Sequence, residues 1–342
     1  MNRAELLTSS YDFTLPDELI ATHPAQPRDH AKLLVYKRQT NEITHCHFYD
    51  LEKFIPKDCA LIFNDTKVIK ARLYGHKPSG GKIELLINRP LDANSISVYI
   101  RGKVKVDAKI LFDDKLVVIV KELKDDGSRV VNFFEKEKLL RFEELLPIID
   151  KIGHIPLPPY IQREDNAQDA SEYQSVFARE EGAVAAPTAS LHFTQEQHKR
   201  ICQNYDHAFV TLHVGSGTFK PVEATTITDH PMHSEYYDIS DKAKEVLDSD
   251  KAILSIGTTS TRTVEFYVRH KEMQRGEANL FLHPNNKPKR VNHLLTNFHL
   301  PKSTLLMLVA SFIGVDKAQE LYAEAIKNKY RFYSYGDAML IL

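Results

Sequence analysis

The chain has 342 residues, 42% hydrophobic and 27% charged, with a formal net charge of -1, enough for one large or two ordinary domains with real cores. A near-neutral balance argues against a general polyanion binder, so a nucleic-acid partner must be met by a local patch. Three cysteines, Cys46, Cys59 and Cys202, stand far apart without a CxxC pair, which argues against a disulfide framework or thiolate zinc site and fits a reducing cytosol.

The N-terminus MNRAELLTSSYDF lacks the apolar core of a signal peptide. The first sixty-odd residues mix a loop rich in proline and charge, HPAQPRDH, with the strand-like runs LLVYKR and ALIFN. From about Lys67 to Phe134 short alternating segments follow one another between turn residues, the pattern of a small sandwich or barrel. After about Phe142, apolar runs such as AFVTLHV and AILSIG alternate with helical stretches such as TQEQHKRICQNY and DKAKEVLD, which predicts an α/β layer architecture. The simplest partition joins 1–66 and 151–342 in a discontinuous α/β domain with 67–150 inserted as a β domain; three domains in series is the alternative. STLLMLVASFIGV is bracketed by Lys302 and Asp316 and is shorter than the ~20 residues that span a bilayer, so it reads as a buried core helix.

Several stretches carry chemistry-bearing residues. In RGKVKVDAKILF, Arg101, Lys103, Lys105 and Lys109 alternate with Val104, Val106, Ala108 and Ile110. One continuous strand would then have a basic and an apolar face, interrupted at Asp107, suited either to phosphates or simply to solvent. AAPTASLHFT offers Thr188, His192 and Thr194. In HVGSGTFKPV, Gly215 and Gly217 follow a strand, but Lys220 stands where a dinucleotide fingerprint needs its third glycine, and Pro221 opposes a helix in that register. No Walker sequence occurs. The glycines therefore form a tight turn, with or without a ligand approaching it. His230 and His233 are three apart in HPMH, with Pro231 between them and no helical HExxH; among sixteen histidines a chance pair is the plainer account. If MHSEYYDI is extended, His233, Glu235 and Tyr237 share one face, either as an acid–base pair or as a wet strand face.

IGTTSTRTVEF reads as strand, hydroxyl-rich turn and helix. Thr258 and Thr259 are placed to cap the helix, whose free N–H groups also attract anions. Arg262 in the first turn opposes the helix dipole, so either a ligand or buried acid holds it, or it pairs with Glu265. LTNFHLPKSTLLML sets Asn297, His299, Lys302 and Ser303 before the buried helix, with Pro301 suited to its first position or Ser303 to its cap. YSYGDAMLIL places Tyr335, Gly336 and Asp337 before an apolar terminal strand. Strand ends and helix starts are where α/β proteins bind ligands, though capping and loop solvation also account for each stretch alone.

Taken in order, YDFTLPDELIATHPAQPRDHAKLLV, FNDTKVIKARLYGHKPSGGKIELLI, GHIPLPPYIQRED, YQSVFAREEGAVAAPTASLHFT, VTLHVGSGTFKPV, HPMHSEYYDI, IGTTSTRTVE, LLTNFHLPKSTLLMLVASFIG and YRFYSYGDAMLIL closely resemble the S-adenosylmethionine:tRNA ribosyltransferase-isomerase family of queuosine biosynthesis. Residues from about Pro90 to Asp150 carry little of the family's signature. PNNKPKR replaces a PGY-type turn, and Ser190 stands where glycine is usual.

The resemblance implies an α/β domain with an inserted small antiparallel β-barrel, a monomer in the cytoplasm, and S-adenosylmethionine as co-substrate with no prosthetic group and no metal. It implies transfer and isomerisation of the ribosyl part onto 7-aminomethyl-7-deazaguanine at the tRNA wobble position. On that reading the catalytic candidates are His233, Glu235, His213 and His192. The turn Gly215, Gly217, Thr218 and Phe219 wraps the co-substrate, Thr258, Thr259 and Arg262 hold its methionine carboxylate, and Asn297 and His299 meet its ribose or the tRNA backbone. Arg28, Arg72, Arg101, Lys103, Lys105 and Lys302 are the candidates for tRNA. A tRNA methyltransferase, a non-catalytic RNA-binding module and a metal hydrolase are the competing readings, and the reaction products separate them.

Overall fold

A computed structural model describes residues 3–215, 217 and 222–342. The strands are β1 Lys32–Lys37, β2 Glu42–His47, β3 Cys59–Asn64, β4 Thr66–Val68, β5 Arg72–His76, β6 Lys82–Pro90, β7 Ser95–Arg101, β8 Lys109–Leu111, β9 Leu116–Leu123, β10 Arg129–Glu135, β11 Lys138–Leu139, β12 Glu180–Ala183, β13 His207–Leu212, β14 Glu235–Ile239, β15 Ala252–Ile256, β16 Arg275–Ala278, β17 His293–Asn297 and β18 Ala338–Ile341. The helices are α1 Phe142–Ile152, α2 Asp169–Glu172, α3 Gln195–Asn204, α4 Asp241–Asp248, α5 Thr258–Tyr267, α6 Thr304–Ile313 and α7 Val315–Lys327. Two compact units result: Met1–Thr66 with Gln174–Glu180 and Ala186–Leu342, and Lys67–Tyr173 with Glu181–Ala185.

The first unit is built on a nine-stranded sheet ordered β16-β14-β13-β3-β15-β17-β18-β1-β2. Its centre is parallel: β3 pairs in parallel with both β13 and β15, and β15 with β17. Every residue of β3, CALIFN, is buried, as expected of a strand covered on both faces. Strand alternation divides the core. Leu34 and Tyr36 of β1 join the cluster that holds α6 and α7, whereas Leu33 and Val35 join the cluster on the opposite face with Phe63 and Phe193. Helix α6 is the predicted buried helix, and Ser303 caps it by accepting the Leu306 N–H at 3.2 Å.

In the second unit the order β10-β7-β6-β5-β8-β9 is closed by pairing of β9 with β10, giving a six-stranded antiparallel barrel with β11 appended. Its interior is filled by alternate residues such as Leu73, Leu85, Val98, Val118 and Phe133, against which Leu145 and Ile149 of α1 pack. This unit reaches past residue 150 because the chain after α1 doubles back on β5. The Arg72 N–H donates to the His154 carbonyl at 3.2 Å, and the His154 N–H to the Arg72 carbonyl at 2.9 Å.

The continuous basic strand expected over RGKVKVDAKILF does not form. Strand β7 ends at Arg101, and the chain turns before β8 starts at Lys109. Gly102 adopts φ 129° and Asp107 φ 62°, left-handed values that end a strand. Arg101, Lys103, Lys105 and Lys109 are all exposed, but they do not lie on one strand face.

Candidate active site

Because β3, β13, β15 and β17 run parallel, their carboxyl ends coincide. Strand β14 is antiparallel to β13, with Tyr237 opposite Leu212, so its first residue, Glu235, falls at the same end. Glu235 is the buried start of the strand, with Tyr237 and Ile239 following it on that face. Its Oε1 accepts the Gly215 N–H at 3.0 Å and its Oε2 accepts Arg262 Nη1 at 2.5 Å. Glu235 and Arg262 are 3% and 4% exposed, so the pair is desolvated and its charge-assisted bonds are strong. Arg262 Nη2 is buried with no partner among the described residues. The buried acid that holds Arg262 is thus Glu235. Glu265 instead accepts the backbone N–H groups of Lys289, Arg290 and Val291 and pairs with Arg269.

Asn64, the last residue of β3, was not singled out from the sequence. Its Nδ2 donates to the Leu212 carbonyl at 3.1 Å and to Thr259 Oγ1 at 3.2 Å, and its Oδ1 accepts the Leu212 and Thr66 N–H groups. One amide thereby stitches β3, β13 and α5 together. Next to it, Asp65 accepts Thr211 Oγ1 at 2.8 Å and Arg179 Nη2 at 2.7 Å. The available signal was polar FNDT directly after a fully apolar run. Gly257 precedes α5 at φ 93° and Thr258 and Thr259 are its first helical residues, so neither is the side-chain cap that the sequence suggested. The first-turn N–H groups therefore lack an Ncap side chain.

The histidines differ in what they can do. His213 Nδ1 lies 2.7 Å from Thr66 Oγ1, and its ring stacks on Tyr236. Burial pushes its pKa down while Asp65 pulls it up, leaving a neutral imidazole at pH 7. His233 lies against Gly217: a Cβ on that glycine would stand 2.6 Å from His233 Nε2. His192 Nε2 is 2.9 Å from Asn297 Oδ1, and Asn297 Nδ2 donates to the carbonyls of Tyr333 and Ser334. With the amide oriented by two carbonyls, its oxygen faces the ring, so His192 Nε2 carries the proton. Burial pushes His192 down to about 4 and His299 to about 3, and His299 Nε2 is occupied at 2.8 Å by Thr296 Oγ1. Asp337, beside the terminal strand, accepts the Lys32 and Arg331 N–H groups.

Thr218 and Phe219 lie outside the described residues. Lys302, at φ 55°, pairs with Asp12 at 2.9 Å, and its carbonyl accepts the Val222 N–H. Arg28 donates to the Gln174 carbonyl at 2.9 Å. Arg72 belongs to the barrel, where it donates to the Leu157 carbonyl at 3.1 Å and pairs with Glu84. Among the described residues no group of three or more His, Cys, Asp or Glu could hold a metal ion, and no helix is long and apolar enough to cross a membrane.

Ligands of α/β sheets bind outside the carboxyl ends of the strands. A sheet of this kind, with titratable side chains and a helix N-terminus gathered at that end, places the chain among α/β enzymes. It belongs to the family of queuosine biosynthesis proteins, whose model matches residues 8–341. The chain is 75% identical over 342 residues, 100% of both chains, to the S-adenosylmethionine:tRNA ribosyltransferase-isomerase of Sulfurimonas denitrificans. It is 59% identical over 337 residues to the enzyme of the same name from Nitratiruptor sp., covering 98% of this chain and 99% of that one. The crystal structure of the S-adenosylmethionine tRNA ribosyltransferase from Thermotoga maritima is similar with a TM-score of 0.54 at 32% identity, covering 98% of this chain and 100% of that one.

Proposed function

We propose that this chain transfers and isomerises the ribosyl part of S-adenosylmethionine onto the aminomethyl group of 7-aminomethyl-7-deazaguanine at the tRNA wobble position. The products are epoxyqueuosine-tRNA, adenine and methionine. The observation that carries the reading is the end-to-end match to enzymes of that name, 75% identical over 342 residues.

The reaction makes definite demands. The sulfonium acidifies the C5′ protons, so a base can remove one. Adenine leaves more easily when protonated, the acceptor amine must attack as the free base, and methionine departs as the epoxide closes. None of these steps calls for a metal or redox group. Proton transfer needs side chains that can take up and give back a proton beside the reacting atoms. We assign it to His213, neutral and half-buried at the end of β13, and to His233 beside Gly217. Both oxygens of Glu235 already accept bonds from Gly215 and Arg262, so its role is to fix the turn on which His213 sits. Arg262 Nη2, which has no partner among the described residues, and the first turn of α5, which has no side-chain cap, suit the methionine carboxylate. His192 and His299 hold Asn297 and Thr296 in place as neutral rings. Widely spaced free thiols suit a reducing compartment, and we assign the enzyme to the cytoplasm as a monomer.

The test is a product assay with S-adenosylmethionine and tRNA carrying 7-aminomethyl-7-deazaguanosine. Adenine, methionine and an epoxycyclopentanediol-modified nucleoside are expected. S-adenosylhomocysteine in their place would move the chain to the methyltransferases.

A further inference from the structure

The stretch GHIPLPPYIQRED of the barrel unit is held at both ends by carboxylates. His154 Nδ1 lies 2.9 Å from Asp165 Oδ1, and Asp165 Oδ2 accepts the Ile155 N–H at 3.0 Å. Further along, Arg163 makes two bonds of 2.7 Å to the buried carboxylate of Asp169. Two carboxylates and three prolines therefore preset the loop.

The loop delivers the His154 ring to Tyr74 of β5, at 5.0 Å between centroids and 68° between planes. On β5 Leu73 points into the barrel core, so Arg72, Tyr74 and His76 point outward. Tyr74 is 49% exposed, and among the described residues its hydroxyl has no hydrogen-bond partner. Pairing puts Glu84 of β6 opposite Tyr74 and Lys82 opposite His76, with Arg101 of β7 opposite Glu84. The Glu84 carboxylate lies between Arg72, at 3.4 Å, and Arg101, at 3.8 Å. Arg72 and Arg101 therefore flank the Glu84 carboxylate beside an exposed ring, with Lys82 two residues along β6 on the same face and Asp165 behind His154.

We propose that this face, centred on Tyr74, is a stacking platform for an unpaired base of the RNA substrate. RNA-binding surfaces combine backbone-tracking cations with aromatic rings on which bases stack. Here Lys82 and Arg101 take the phosphates and Tyr74 takes the base. The bracketed loop means that little freedom is lost on binding. An acidic peptide would satisfy the cations but would make no demand on the ring. The proposal deepens the tRNA reading above and rests on it.

Affinity for the substrate tRNA is measured by filter binding for the full-length protein and for Tyr74→Ala, Tyr74→Phe and Arg101→Ala, with adenine release as a second readout. Loss of a base–aromatic stack weakens tRNA binding by roughly tenfold in Tyr74→Ala, while Tyr74→Phe, which keeps the ring, binds as the parent does. Arg101→Ala flattens the salt dependence by about one phosphate contact, and Tyr74→Ala leaves that slope alone. Equal affinity of Tyr74→Ala and the parent for tRNA overturns the platform and leaves the reaction intact. A parent protein that neither binds tRNA nor releases adenine overturns both.

Discussion

Replacing Glu235 by Gln keeps the side chain's shape and removes its charge. Arg262, 4% exposed, is then a buried cation whose 2.5 Å partner has become a neutral amide. Breaking a buried pair from one side costs about 3–5 kcal/mol because a charge is left uncompensated. The Gln carbonyl can still accept one of the two bonds, so the lower end applies, about 3 kcal/mol, a large share of the roughly 5–15 kcal/mol that holds a protein folded. Removing both charges, as in Glu235→Leu with Arg262→Met, avoids the orphaned charge and is close to neutral when the volumes match. We therefore expect urea unfolding to show a loss of about 3 kcal/mol in Glu235→Gln and recovery of about 2 kcal/mol or more in the double variant. Adenine release stays low in both, since neither holds the Gly215 N–H as the carboxylate does. A single variant as stable as the parent, or a double variant no better than the single, refutes the claim that this pair is a desolvated clamp.

Two further perturbations probe the same end of the sheet. His192 and His299 are buried with pKa values pushed down to about 4 and about 3 from 6.5. The unfolded chain therefore binds their protons first, and the stability they contribute above pH 6.5 drains away as the pH falls toward 4. At pH 5 each has withdrawn about 2 kcal/mol, almost independently of how far below 5 its folded value lies. Urea unfolding at pH 7 and pH 5 should differ by about 4 kcal/mol from this source, and a difference under about 1 kcal/mol would mean that one or both rings are charged in the folded state. Gly217→Ala places a methyl 2.6 Å from His233 Nε2 and must move the ring. Turnover should fall by roughly tenfold or more for a displacement approaching 1 Å with the melting temperature nearly unchanged, and normal turnover would remove His233 from the reacting groups.

How much of this was written in the sequence differs by element. ALIFN reads as a strand-like run because it is apolar up to its last residue, and as part of β3, CALIFN, it is buried throughout. EYYDI alternates and forms β14 from its first residue. RGKVKVDAKILF alternates just as well and yet breaks, because side-chain pattern says nothing about φ. Gly102 and Asp107 take left-handed backbone there, and a Cβ on Gly102 would stand 2.6 Å from Ile83 Cδ1. Arg262 was recognisable as out of place against the helix dipole, but its partner was not. Glu265, one turn along the same helix, faces the backbone of residues 289–291, while the acid that reaches Arg262 starts a strand 27 positions earlier. Local spacing shows that a charge needs a partner; only the sheet order decides which partner arrives.

That sheet order also bears on the division of labour among the acidic and basic groups. Glu235 connects the end of β13, through Gly215, with α5, through Arg262, and both of its oxygens are engaged in doing so. Taking a proton from C5′ would mean giving up one of those bonds and, with it, either the turn or the compensation of a buried guanidinium. His213 carries no such burden: its ring is held by one contact to Thr66 and a stack on Tyr236, and a neutral imidazole can gain a proton without dismantling its support. In the reaction proposed above, the carboxylate is therefore assigned to the geometry of the site and the histidines to the protons.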